Sequence, residues 1–160
     1  MSAVRVRPAR PDEATVLAEM ANDLNDHVGI SGRPFTPERV RAGGFGPRAA
    51  FTPLVAELDG TVVGYAFFSP GYNTDIAARV VWLHDLFVVP AARGRRVGYA
   101  LIAAVAAETV REGAVSMEWG VQPANTAALE FYRRLGARGA ELRVMGIDGE
   151  RLRALAGAAR

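Results

Sequence analysis

Three arginines and two glycines stand within Arg93-Gly94-Arg95-Arg96-Val97-Gly98, between the apolar run Leu86-Phe87-Val88-Val89 and a second apolar stretch from Tyr99 onward. A strand that turns directly into a helix leaves the first helical amides without partners and with partial positive charge. Glycine lets a ligand come close to the backbone, and arginine adds fixed charge and forked donors. This combination can hold a pyrophosphate or another polyanion at a helix N-terminus. The turn lacks the Gly-Lys-Ser/Thr ending of a nucleotide-hydrolysing loop and is not Gly-x-Gly-x-x-Gly, so neither ATP or GTP hydrolysis nor dinucleotide binding is favoured. By itself it is equally a solvated basic turn.

Two further segments carry groups able to do chemistry. In Trp82-Leu83-His84-Asp85-Leu86, strand alternation puts Trp82, His84, Leu86 and Val88 on one face and Asp85 on the other. A histidine in an apolar strand is a structural residue or a base. In Asn125 to Gly136, Ala128, Phe131, Tyr132 and Leu135 recur at i, i+3, i+4 and i+7, one face of a helix that Asn125 is suited to cap. Tyr132 is then either a core-edge aromatic or a proton donor. His27 sits in a polar loop. The two histidines show no metal spacing, and no metal is expected.

The elements around these segments follow from periodicity and punctuation. Val4 to Arg7 alternates as a short strand. Pro11-Asp12-Glu13 opens a helix reaching about Asn25, and a polar loop runs from Asp26 to Pro34. Thr36-Pro37-Glu38-Arg39 opens a second helix. Asp59-Gly60 joins Pro53–Leu58 to Thr61–Ser69 as a hairpin. Arg79–Val89 reads as a strand, Val97–Arg111 as a helix with Val97, Leu101 and Val105 on one face, and Val115–Val121 as a strand. A helix over Asn125–Leu135 stops at Gly136, Arg138–Ile147 reads as a last strand, and Glu150–Ala156 as a short helix. This is one α/β (α+β) domain spanning residues 1–160.

The bulk composition agrees with a globular chain. Half of the 160 residues are hydrophobic and 22% are charged, which separates it from disordered chains. No apolar run is long enough for a membrane span, and no signal-peptide pattern opens the chain. Cysteine is absent, which removes disulfides, thiolate metal sites and a cysteine nucleophile, and a cytoplasmic location is expected. All 19 basic residues are arginine, yet the net charge is only +2, so neither nucleic acid nor membrane is expected as a partner.

With the three segments in this order, the chain resembles the GCN5-related N-acetyltransferase (GNAT) superfamily from Val4 to Asp148, and within it the diamine (spermidine/spermine) and thialysine acetyltransferases. Further likenesses are Leu54-Val55-Ala56-Glu57, Val63-Gly64-Tyr65-Ala66 and Arg143-Val144-Met145-Gly146. The resemblance implies a mixed, mostly antiparallel twisted sheet of six to seven strands, splayed in the middle and flanked by about four helices. It implies acetyl-CoA as co-substrate. Leu86, Phe87 and Val88 would pair with the pantetheine arm through their backbone. Amides of Gly94, Arg95, Arg96, Val97, Gly98 and Tyr99 would hold the pyrophosphate, with charge from Arg93 or Arg95, and Asn125 and Ala128 would face the cofactor. Arg96 stands where the family pattern Arg/Gln-x-x-Gly-x-Gly/Ala has its first glycine; it still supplies an amide.

The implied activity is transfer of an acetyl group to a primary amine by direct attack, the acceptor being a small polyamine- or amino-acid-like molecule. His84 stands where diamine acetyltransferases have a glutamate, and histidine's ordinary pKa of about 6.5 suits a base at neutral pH. Tyr132 matches the family's general acid. Asp23 and Asp26 are candidate substrate contacts, although the Tyr-Glu pair of polyamine enzymes is replaced by Asn22-Asp23-Leu24-Asn25-Asp26. A homodimer is expected by analogy. The competing expectation is a non-catalytic acyl-CoA-binding or sensing domain. A third, nucleic-acid binding through Arg93, Arg95 and Arg96, is opposed by the near-neutral charge.

Overall fold

The computed structural model describes residues 3–159, which divide into two compact units at the Gln122–Pro123 junction. The first unit is built on a five-stranded sheet in sequential order: β1 (Arg5–Pro8), β2 (Thr52–Leu58), β3 (Thr61–Asn73), β4 (Ala78–Val88) and β5 (Ser116–Glu118). The first four strands are antiparallel and β5 joins β4 in parallel, so the sheet is mixed. Asp59 and Gly60 both take positive φ at the β2–β3 turn, the backbone that an Asp-Gly hairpin requires.

One face of the sheet is covered by α1 (Ala14–His27), which buries Ala14, Leu17, Ala18, Met20 and Ala21 against Val55, Tyr65, Phe67 and Phe87. A single 3-10 turn over Pro11–Glu13 starts α1. The loop after α1 is tied back by the buried Asn22, whose side chain donates to the Phe35 carbonyl at 2.9 Å and accepts from its amide at 3.0 Å. Thr36 then caps α2 (Pro37–Gly44) through the Arg39 amide at 3.3 Å. The helix α3 (Val97–Arg111) packs on the sheet through Val97, Leu101 and Val105, the stripe that periodicity indicates. Gly64 makes this packing possible. A Cβ there would come within 2.7 Å of the Phe87 carbonyl and 3.3 Å of Leu101 Cδ1.

The second unit holds α4 (Thr126–Arg134) and α5 (Gly149–Gly157). Among the described residues the strands number five where six to seven are expected, and the helices five where about four are expected. The fifth strand keeps only Ser116–Glu118 of the expected Val115–Val121, and Arg138–Ile147 forms no strand. In that last segment Leu142, Val144 and Met145 are more than four-fifths exposed, and no strand of the described residues pairs with it. Alternation indicates which side chains would share a face; a strand also needs a ladder partner, which a one-dimensional pattern does not supply.

Candidate active site

The strand β4 is irregular at one point. Phe67 pairs with Asp85 and Phe68 with Leu83, so His84 is the extra residue of a β-bulge. A bulge resets alternation, and the expected arrangement is corrected accordingly. Leu86 and Val88 take the face of their partners Ala66 and Gly64, whereas Trp82 pairs with Ser69, on the Phe67 side of β3. Trp82 and Leu86 therefore lie on opposite faces. Asp85 is opposite Leu86 and Val88 as expected, but His84 joins it rather than them.

Four polar groups are thereby collected on the α1 side of the sheet. His84 Nε2 lies 2.8 Å from Ser69 Oγ, and the Tyr65 hydroxyl donates to Asp85 Oδ2 at 3.1 Å. Tyr65 is wholly buried, Asp85 partly so, and His84 is exposed. Burial pushes the Asp85 carboxyl above the usual carboxylate range, against the opposing pull of the Tyr65 hydrogen bond and of nearby His84. Burial likewise pushes the Tyr65 phenol up, reinforced by the charges of Asp85 and of Asp23 on α1.

The same stretch of β4 has an uncovered edge. Its ladder to β5 runs only from Val80–Ser116 to Trp82–Glu118; from Leu83 onward no described strand pairs on that side. The Val89 amide donates to the Val63 carbonyl at 2.9 Å, and the Phe87 carbonyl faces Gly64, so the Phe87 peptide groups turn toward β3. By antiparallel alternation those of Leu86 and Val88 turn to the uncovered edge. The Val88 carbonyl already accepts from Arg93 Nε at 3.1 Å. Of the three residues expected to pair with a pantetheine arm, Leu86 and Val88 are so oriented, whereas Phe87 sends its ring into the core.

This edge leads to the N-terminus of α3. The first helical hydrogen bond is from the Ala100 amide to the Arg96 carbonyl at 3.0 Å, and Arg96 offers no side-chain cap. The amides of Val97, Gly98 and Tyr99 therefore have no helical acceptor. Gly94 takes φ 76° and Arg96 φ 63°, both left-handed. Glycine adopts that backbone freely; arginine adopts it at a cost of about 1–2 kcal/mol. Arg93 lies 5.9 Å from the Phe87 ring centroid, Arg96 lies 4.9 Å from that of Tyr99, and Arg95 is exposed. Open amides, a glycine that clears the approach and three cations form a donor set that fits the diphosphate of coenzyme A.

The remaining expected residues are placed as follows. In the second unit, Asn125 caps α4, its Oδ1 accepting from the Ala128 amide at 3.2 Å. Tyr132 stacks obliquely on Phe131 at 5.2 Å, and burial pushes its phenol up to about 12, so it stays protonated through the neutral range. Asp23 and Asp26 near the end of α1 are both bound by Arg33, at 3.1 Å for Asp23. Sequence reasoning missed Tyr65 and Ser69. The available signal was the alternation Tyr65, Phe67, Ser69, which needs the bulged register of β4 before it points anywhere.

Comparison with known proteins gives this geometry its context. Residues 19–137 match the profile of the Acetyltransferase (GNAT) family. The chain is 31% identical over 147 residues to mouse (Mus musculus) thialysine N-epsilon-acetyltransferase, covering 86% of each chain. It is 32% identical over 98 residues to the Arabidopsis thaliana L-ornithine N5-acetyltransferase NATA1, which is 61% of this chain and 43% of that one. Among solved structures, the aminoglycoside N-acetyltransferase AAC(6')-Iy in complex with CoA superposes with a TM-score of 0.72 at 23% identity, over 94% of this chain and 97% of the other. The chain belongs to the GNAT family of acetyltransferases and is an acetyl-CoA-dependent N-acetyltransferase.

Proposed function

We propose that the acceptor is the primary amine of a small amino-acid-like or polyamine-like molecule, that attack on the thioester is direct, and that one catalytic domain spans residues 1–160. The observation that carries this reading is the uncovered edge of β4. The peptide groups of Leu86 and Val88, the His84–Asp85 bulge and the open amides of α3 follow one another along a single strand-turn-helix segment. The likeness to a thialysine enzyme supports an acceptor with an amine at the end of a short chain.

Acetyl-CoA supplies an acyl thioester open to nucleophilic attack. The open amides of Val97, Gly98 and Tyr99 hold its diphosphate, and the Leu86 and Val88 peptides align its arm along β4. An alkylammonium resembles lysine, with an ordinary pKa of about 10.4, so it must lose a proton before it can attack. His84 is exposed beside the uncovered edge and takes that proton, directly or through water. Asp85, partly buried next to it, keeps an acidic oxygen near the arriving cation. The resemblance, not its placement, gives Tyr132 the role of acid: protonated at neutral pH, it would give its proton to the thiolate released as the C–S bond breaks and regain one from the second proton shed by the newly acylated nitrogen. Asp23 and Asp26 meet an acceptor only if it displaces Arg33.

The test is thiol release from acetyl-CoA across a panel of ornithine-, lysine- and diamine-type acceptors, with wild type, His84→Ala and Tyr132→Phe. Each variant is expected to lose about 10²-fold or more in kcat, the usual contribution of a positioned acid or base. Near-normal rates in both variants would overturn the roles, and turnover restricted to bulky or peptide acceptors would overturn the substrate class.

A further inference from the structure

Arg96 occupies a position that glycine would fill without strain. It is a left-handed residue, at φ 63° and ψ 12°, at the mouth of the helix that meets the cofactor's phosphates. Non-glycine residues in this backbone region persist where their side chain contributes something glycine cannot. No carboxylate of the described residues pairs with the Arg96 side chain, and it does not cap α3. It lies instead against the Tyr99 ring at 4.9 Å, and Tyr99 is 47% exposed. A guanidinium stacked on an aromatic face keeps its in-plane N–H donors available at the ring's rim. The stack also reduces the rotamer freedom that a solvated arginine would lose on binding.

Coenzyme A carries a diphosphate and a separate phosphomonoester on its ribose. The three open amides, from Val97 to Tyr99, supply donors for the diphosphate along the helix axis. The Arg96 guanidinium lies against Tyr99, a side chain of the first helical turn, and helical side chains project away from the axis along which the amides point. We infer that the Arg96–Tyr99 pair binds the ribose 3'-phosphate of coenzyme A and makes the enzyme select the phosphorylated coenzyme over its 3'-dephospho form. A phosphomonoester dianion and a guanidinium fork match in charge and in bidentate geometry. The inference rests on the placement of the diphosphate at α3 given above.

Titration calorimetry of the full chain with coenzyme A and with 3'-dephospho-coenzyme A tests it, without any acceptor present. Wild type is expected to bind coenzyme A at least about tenfold more tightly. Arg96→Gly should bring the two affinities within about twofold, its loss falling more heavily on coenzyme A than on the 3'-dephospho form. Because the left-handed strain is relieved, the free Arg96→Gly protein should melt higher by about 2–4 °C. Tyr99→Leu, which removes the ring and keeps the amide, should lose part of the discrimination. Equal affinities in wild type, or discrimination that survives Arg96→Gly, would overturn the inference about Arg96 alone. No binding of either form by wild type would overturn the diphosphate site beneath it, and the inference with it.

Discussion

The first unit contains two places where a carboxylate is drawn into the protein, and they are resolved in opposite ways. At the start of α1, Glu13 is 8% exposed and faces Arg7, which donates to it at 2.6 and 2.9 Å and also grips Glu57 on β2. The Arg10 backbone amide adds a further partner, donating to Glu13 Oε2 at 2.7 Å. These bonds, the Arg7 contact foremost, hold Glu13 below the usual range despite its burial. On β4, Asp85 receives one neutral hydroxyl and no arginine, and burial holds it above the usual range. The first arrangement ties β1, α1 and β2 together with every charge compensated. The second leaves a carboxylate whose ionised form is under-supported, beside an exposed histidine and an uncovered strand edge. A buried charge that the fold compensates serves the fold; one that it leaves wanting a cation is available to a substrate.

Cutting the compensated cluster should have the largest effect on stability. Arg7→Ala leaves the buried Glu13 with only the largely exposed Arg10, 3.1 Å away, as a cation, and severing the Arg7 pair costs about 3 kcal/mol, at the low end of the buried range because that second cation and some solvent remain. In a chain of this size that is a melting temperature lower by about 6–12 °C, with kcat at low temperature unchanged. The pH dependence has a definite sign. Glu13 is lowered in the folded state, so its contribution is fully present above the ordinary glutamate value and is lost as pH falls through the folded value. Melting temperature should therefore drop on acidification, and Glu13→Gln should flatten that drop while lowering stability at pH 7.

Asp85 should move the other way. Its folded value is raised, so its contribution is present below the ordinary aspartate value and is lost as pH rises through the folded one. Its ionised form is the one the fold supports less well. Asp85→Asn keeps the shape and an acceptor for the Tyr65 hydroxyl, and should raise the melting temperature by about 2–4 °C, the equivalent of roughly 1 kcal/mol. The same variant should raise KM for amine acceptors about tenfold, with little change in coenzyme A affinity. If Asp85→Asn instead melts lower and leaves KM unchanged, the contrast between the two carboxylates disappears and both are structural.

The sequence made the scaffold of this contrast readable but not the contrast itself. The Asp59-Gly60 turn, the Thr36-Pro37 helix start, the Val97–Leu101–Val105 stripe and the halt at Gly136 follow from local rules, and all of them are in the structure. The resemblance carried the acetyl-transfer chemistry, and it pointed to the strand-turn-helix segment as the place for the site. The bulge at His84 was not readable, because it is a property of the register between two strands and no residue type signals it. With the bulge absent from the reading, Tyr65 and Ser69 had no reason to stand out. Arg33 escaped for a related reason. Its partners are seven and ten residues away across a loop, and its own backbone is left-handed at φ 43°, a conformation no local residue pattern announces.

That loop gives the smallest effect and the finest test. Arg33 pairs with Asp23 and Asp26 on an exposed surface, where each side chain is about half accessible. Exposed pairs contribute little to stability because water and salt screen them, so Arg33→Ala should shift the melting temperature by about 1 °C or less. Its effect should appear in substrate choice. Freeing both carboxylates removes an internal cation from the end of α1, whose Asp23 charge already reaches the buried Tyr65. Diamine acceptors, with a second ammonium to place, should gain about two- to fivefold in kcat/KM at low ionic strength, and monoamines should gain nothing. The gain should fade as salt is raised to a few tenths molar, since the screening length then drops below about 8 Å. A gain shared equally by monoamines, or one insensitive to salt, would mean that Arg33 shapes the loop and does not compete with the acceptor for charge. The acceptor's recognition would then fall to Asp85 and His84 alone.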